Sequence, residues 1–233
     1  MKNALYLLLL LIYGCSTQVR PEIRQAVDEK MAVQRSVKIN CEAARDPFCA
    51  IQSPLIYLGN IDTLRHTQHA TLLDIGEDSL KARLHLIKAA TRSIEFQNFL
   101  FRRDDTGGLV IEELVHAARR GVQVRILFDQ LFTVSELDYL ASLALKHSNF
   151  EVRLYNPLFN MAKTNKYSMF GGVTCCFTKT NQRMHNKLLV IDDVVGMTGG
   201  RNIADRYFDF DVNYDFKDRE VLVFGQVAEE MRV

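Results

Sequence analysis

With 233 residues, 48% of them hydrophobic, the chain can bury a sizeable core, and its length suits one globular domain with an appendage. The 29 basic and 28 acidic residues leave a formal charge of +1. Nothing in those totals calls for nucleic acid or an anionic bilayer as an electrostatic partner, so any phosphate chemistry must come from a local site.

Lys2 precedes an apolar run from Ala4 to Tyr13, followed by Gly14-Cys15-Ser16. Such a run is too short to span a bilayer as a helix, which needs about 20 residues. It reads as a secretory signal. Ile12-Tyr13-Gly14-Cys15 resembles a bacterial lipobox, whose cysteine is lipidated and becomes the mature N-terminus; an uncleaved anchor or a plain signal is the alternative. Lipidation at Cys15 would give firm anchoring, since each buried methylene adds about 0.8 kcal/mol. The expected location is the bacterial cell envelope, periplasmic side, with Ser16 leaning toward the outer membrane. In an oxidising compartment Cys41 and Cys49 can pair, whereas adjacent Cys175 and Cys176 are expected as buried free thiols. No cysteine has metal-site spacing.

The expected organisation is a signal over 1–15, a tether and irregular lead-in over 16–58, and one domain over 59–233. Leu80, Leu84, Ile87 and Ala90 recur at helical spacing after a cap at Asp78 or Ser79. Ser93 to Phe101 alternates as a strand does. Val110 to Arg120 returns to helical spacing and closes at Gly121, before a β-branched strand, Val122 to Asp129, that ends in an acid. A helix from Ser135 to Lys146 and a strand from Phe150 to Tyr155 repeat the alternation, which argues an α/β domain with a largely parallel or mixed sheet. Asn156 to Arg183 has no clear period and reads as a long excursion, often a substrate loop. Strands follow at Lys187 to Asp192, Val194 to Thr198 and Val221 to Phe224, with a Gly199-Gly200 turn and a short helix between the last two, and a helix starts near Ala228.

The informative segment is His185-Asn186-Lys187 followed by Leu188-Leu189-Val190-Ile191-Asp192. On a strand, residues two apart share a face, so His185 and Lys187 would present an imidazole and an ammonium together. Gly199-Gly200-Arg201-Asn202 adds a small-residue turn whose backbone N–H groups could approach phosphate oxygens, and an amide that can donate to them. A lone strand histidine is usually structural, and His66, His69, His85, His116 and His147 are read so. Phe96, Phe99 and Phe101 read as core. Gln97 reads as facing either the site or open surface.

These residues match the HKD motif of the phospholipase D superfamily, H-x-K-x4-D followed after six residues by G-[SG]-x-N, with Gly200 where many members have Ser. Arg183 to Lys187, Gly199 to Phe208 and Ala117 to Arg125 resemble the first half of bacterial cardiolipin synthases of the lipoprotein-associated kind. The resemblance covers most of residues 75 to 228. It implies a phospholipase D-like α/β/α sandwich with a mixed β-sheet flanked by helices, phospholipid substrates rather than DNA, and no metal or other cofactor. It also implies that His185 attacks phosphorus to form a phosphohistidine while Lys187 and Asn202 stabilise charge on the equatorial oxygens. Asp192 is implied to be structural. Asp218, with Glu220 as its rival, is the candidate to orient the imidazole.

Chemistry of this type takes two motif copies, one histidine attacking and the other protonating the leaving alcohol, and this sequence shows one. A truncated or split gene product is therefore expected, completed by a two-fold homodimer or by a separate half carrying a second motif. Phosphatidyl transfer or hydrolysis is the favoured function. A periplasmic homodimeric endonuclease is the second reading, disfavoured because no dense Lys/Arg stripe is present, and an inactive lipid-binding fragment is the third.

Overall fold

A computed structural model describes residues 68–232. The signal segment with Cys15, the cysteines Cys41 and Cys49, and His66 lie outside the described residues.

Seven strands form one mixed sheet in the order β1-β7-β6-β5-β2-β3-β4. Their ranges are β1 His69–Leu73, β2 Ser93–Asn98, β3 Gln123–Asp129, β4 Phe150–Tyr155, β5 Leu188–Ile191, β6 Val195–Gly199 and β7 Glu220–Phe224. Strands β2, β3 and β4 are parallel, joined through α2 (Asp105–Arg119) and through α3 (Gln130–Thr133) with α4 (Leu137–Lys146). The remaining pairings are antiparallel. The fold is thus α/β with a mixed sheet and helices. Among the described residues no helix is long and apolar enough to cross a membrane.

The period-2 pattern of β2 sorts Ile94, Phe96 and Asn98 into the interior and leaves Ser93, Glu95 and Gln97 half-buried on the other face. Helices α1 (Gly76–Ala89) and α2 supply the matching apolar surface. In α2 the stripe is Val110, Ile111, Leu114, Val115 and Ala118. Asp104 caps that helix, its carboxylate accepting from Gly107 N at 3.1 Å, and Gly121, at φ +98°, ends it in a conformation few side chains tolerate.

Several elements depart from their sequence reading. Helix α1 begins at Gly76, whose N–H donates to the Asp209 carboxylate at 2.7 Å rather than to a capping residue in its own first turn. Asp78 and Ser79 lie inside it, and Ser79 turns inward to donate to Glu220. Strand β1 carries little hydrophobic signal because most of it is exposed. The stretch from Asn156 to Arg183 is not a plain loop: it holds a 3-10 turn at Leu158–Asn160 and helices α5 (Lys166–Cys175) and α6 (Phe177–Thr180). Helix α5 is capped by Asn165, which accepts from Ser168 N at 2.7 Å, and its apolar residues follow no single stripe. Cys175 and Cys176 are joined as a disulfide, not held as buried free thiols. They sit at the exposed end of α5, where little is available to bury them.

Pairing register fixes which loops meet. The end of β2 lies beside the start of β5 (Gln97 opposite Leu188), the start of β5 beside the end of β6 (Leu188 opposite Thr198), and the end of β6 beside the start of β7 (Gly199 opposite Glu220). Parallel β3 and β4 end level with β2. One end of the sheet therefore gathers the segments 99–104, 130–136, 156–187 and 200–219. At the opposite end, β5 turns into β6 through Asp192 and Asp193, both at positive φ, closed by Val194 N donating to Ile191 O at 3.0 Å.

Candidate active site

His185 and Lys187 stand on an extended segment just before β5, which begins one residue later than its sequence pattern suggests. Asp129, the acid that ends β3, holds this segment. Fully buried, it accepts from Met184 N at 3.0 Å and from the Arg183 guanidinium at 3.0 Å, and also caps α3 through Leu131 N. Arg183 reaches on to Asn156 O at 3.3 Å. The chain entering the site is thereby tied to the ends of two parallel strands.

His185 is exposed while Lys187 is only 4% exposed, so the two do not simply share one open face. The lysine stem instead folds back and places Nζ 3.3 Å from His185 Nε2 and 2.8 Å from His185 O. A protonated Lys187 donates to Nε2 only when that nitrogen carries its lone pair, with the imidazole proton on Nδ1. Phe99 packs against both side chains. Its ring meets the His185 ring edge-on at 4.8 Å between centroids, packs on Phe132 at 4.1 Å, and lies 5.5 Å from Lys187 Nζ. Phe96 and Phe101 are core, as their pattern suggests, whereas Phe99 is half-buried against the imidazole. Gln97 lies on the other face of the sheet beside Glu95, Arg125 and Arg153, away from His185.

Asn202 is buried and bonded to Leu100, the residue after Phe99. Its Oδ1 accepts from Leu100 N at 3.2 Å and its Nδ2 donates to Tyr207 OH at 2.9 Å. The segment that carries it is braced against α2: Asp205 N donates to Asp104 at 2.9 Å and Thr106 N donates to Asp205 at 2.8 Å. Burial raises the Asp104 carboxyl from its ordinary value, and the Asp205 and Gly107 backbone donors oppose the shift. Arg201, 1% exposed, donates to the carbonyls of Asp74, Tyr207 and Asp218 and so ties the connection after β1 to two points of the 200–219 segment around Asn202. On β2, the fully buried Asn98 has an amide Nδ2 with no partner.

One backbone donor of the Gly199-Gly200 turn is engaged within the sheet. Gly200 N is already spent on Arg219 O at 3.1 Å, because the β6–β7 ladder runs through Gly199 opposite Glu220. The glycines serve close approach. A Cβ on Gly199 would overlap the Arg219 carbonyl and the Glu220 backbone, and one on Gly200 would overlap the Asp218 carboxylate. Asp218 thus fills the space that a side chain at position 200 would take.

Asp218 lies close enough to act electrostatically on Lys187, but among the described residues its carboxylate makes no hydrogen bond to His185. Glu220 is committed elsewhere, bound in the interior to Arg83 at 2.5 Å and to Ser79. Asp192 lies at the other end of β5 from His185 and Lys187. Its carboxylate accepts from Thr91 N at 2.9 Å, Arg92 N at 2.7 Å, Ser93 N at 2.9 Å and Thr91 Oγ1 at 2.8 Å, fixing the turn that starts β2.

Burial pushes the Lys187 pKa below the ordinary lysine value of 10.5, and the Asp218 carboxylate pulls it part of the way back. Activity that needs the ammonium is expected to fall at a lower pH than an ordinary lysine allows, and lower still in Asp218→Asn. In the window between the folded pKa and the ordinary value, the unfolded chain holds the proton that the folded chain has released. This group's contribution to stability therefore rises with pH across that window, and below it the burial penalty is carried in full. Titration of the Lys187 13Cε resonance in both proteins checks this; ordinary lysine titration in both would contradict it.

An exposed imidazole with a nitrogen lone pair beside a desolvated ammonium suits nucleophilic attack on a tetrahedral phosphorus whose oxygens the cation can hold. A family profile described as "Cardiolipin synthase, PLD-like domain" matches residues 84–232. A Helicobacter pylori (strain J99) protein described as uncharacterized is 34% identical over 187 residues, covering 80% of this chain and 36% of the relative. Cardiolipin synthase C of Escherichia coli K12 is 37% identical over 155 residues, covering 66% of this chain and 31% of the relative. The chain thus spans about a third of the length of these curated relatives. The crystal structure of phosphatidylserine synthase from Haemophilus influenzae Rd KW20 superposes with a TM-score of 0.52 at 14% identity, covering 70% of this chain and 34% of that one, a likeness of fold. With the family profile covering most of the described region and the motif residues gathered at one end of the sheet, this chain belongs to the cardiolipin synthase, PLD-like domain family.

Proposed function

We propose that this chain catalyses phosphatidyl transfer or hydrolysis on phospholipid phosphodiesters, in the manner of phospholipase D. The observation that carries the reading is the 3.3 Å approach of Lys187 Nζ to Nε2 of the exposed His185. A substrate phosphate entering there takes over the ammonium and frees the Nε2 lone pair. Nε2 then forms a bond to phosphorus as the bond to the leaving alkoxide breaks, and the alkoxide takes a proton from a second histidine. In the return step that histidine removes a proton from an acceptor hydroxyl, whose oxygen displaces His185 from phosphorus. A hydroxyl of another phospholipid gives transfer, and water gives hydrolysis. The second histidine comes from a second copy of this chain or from another half bearing the motif, and lipidation at Cys15 would hold the site at a membrane on the periplasmic side.

The test is incubation of the full chain with labelled phosphatidylglycerol, alone and with a second motif-bearing half, beside His185→Ala. His185-dependent cardiolipin indicates transfer and His185-dependent phosphatidic acid indicates hydrolysis. Product from the chain alone points to self-association. Absence of product in every arm would overturn the proposal.

A further inference from the structure

The excursion between β4 and His185 is a built element whose outer face is exposed among the described residues. Its base is pinned from inside. Buried Gln130 donates to Met161 O and Ala162 O at 2.5 and 2.7 Å and accepts from Leu158 N at 2.8 Å. Asn156 Nδ2 donates to Lys179 O and Gln182 O at 2.6 and 2.8 Å, closing the excursion on itself. Thr180 donates to Gly172 O, and a Cβ on Gly172 would overlap Leu158, so α5, α6 and the 3-10 turn pack tightly together.

Outside that base, Phe159, Tyr167, Met169, Phe170, Val173 and Phe177 are exposed, Tyr167 to 88% and Phe170 to 72%. A helix apolar on all sides is normally buried, and a cluster of large apolar side chains in water marks a binding face. Charge narrows the partner. Residues 156–183 include Lys163, Lys166, Lys179 and Arg183 and no Asp or Glu. Asp138 pairs with Lys163 and Asp129 with Arg183, which leaves the segment positive. Aromatic side chains over a cationic, acid-free segment fit the headgroup level of an anionic bilayer. The segment runs straight into Arg183 and His185, at the end of the sheet where the site opens. Residues 208–219, on the other side of the site, carry Asp209, Asp211, Asp215 and Asp218 against Lys217 and Arg219, so that segment is net negative and the cationic excursion is the side that suits an anionic surface.

We infer that α5, α6 and the turn before them dock on an anionic phospholipid bilayer and bring the lipid phosphodiester to His185. The inference rests on the phospholipid reading above. The chain contains no tryptophan, so Phe170→Trp in the full chain gives a single local reporter, with Leu145→Trp at the far end of α4 as its control. Vesicles of phosphatidylglycerol and phosphatidylethanolamine, with and without brominated acyl chains, are the probe. Phe170→Trp emission is expected to shift to the blue and to lose at least about half its intensity with brominated lipid, while Leu145→Trp is unchanged. Unmoved Phe170→Trp emission in protein that sediments with the vesicles would show attachment through another segment and overturn the inference. A blue shift without vesicles that grows with protein concentration would assign the face to a protein partner and overturn it equally. Docking without His185-dependent product would sink the catalytic reading alone, and product without quenching would sink the docking alone.

Discussion

His185→Ala is expected to lower product formation by about 10⁴-fold or more, because in the proposed mechanism the substitution removes the atom that bonds to phosphorus and no neighbouring group replaces it. The imidazole is exposed and Met184 N carries the anchoring hydrogen bond of its segment, so the variant should unfold at the same denaturant concentration as the parent. Equal stability with lost turnover separates chemistry from folding. Lys187→Met should cost less, about 10²- to 10³-fold, since it removes charge stabilisation while leaving the nucleophile. Product measurements on both variants beside denaturant titrations check the ranking.

Glu220→Ala has the largest expected effect on stability. Glu220 and Arg83 are 1% and 2% exposed and meet at 2.5 Å, with Ser79 as a further donor to the carboxylate. Removing the carboxylate leaves a guanidinium buried without its counter-charge, a change that costs about 3–5 kcal/mol. Replacing both partners with apolar residues, Arg83→Met with Glu220→Leu, should recover much of the loss, because the desolvation of both charges disappears with the pair. Glu220 lies opposite Gly199 in the β6–β7 ladder, so loosening it should also loosen the Arg201–Asn202 segment and lower activity. Chemical denaturation of the two variants measures the difference; equal losses in both would contradict the ion-pair explanation.

The α/β rhythm was legible because β2, β3 and β4 each carry a strong apolar pattern and α1 and α2 bury one face against them. Helix α5 escaped that reading because its apolar residues face solvent in several directions, so they form no stripe. In the site, the spacing of His185, Lys187 and Asn202 announced itself, and the structure draws all three to one end of the sheet. Their supports did not. Asp129 reads as the polar end of a strand, Phe99 continues an alternating run that looks like core, and Tyr207 is one aromatic among several. Each becomes visible only when register places it beside a motif residue: Asp129 beneath Met184, Phe99 against the imidazole, and Tyr207 on the Asn202 amide. Asp218 and Glu220 lie two residues apart in sequence, and packing separates them, one near Lys187 and the other on Arg83.

The central claim is tested most directly by trapping the covalent intermediate. The full chain, alone and with a second motif-bearing half, is mixed with phosphatidylglycerol labelled at phosphorus, quenched in alkaline detergent and digested for peptide mass spectrometry. A phosphatidyl adduct on the peptide containing His185, labile to acid and missing in His185→Ala, is the predicted result. Product formation that persists in His185→Ala, or an adduct on another residue, would contradict the assignment of His185 as nucleophile.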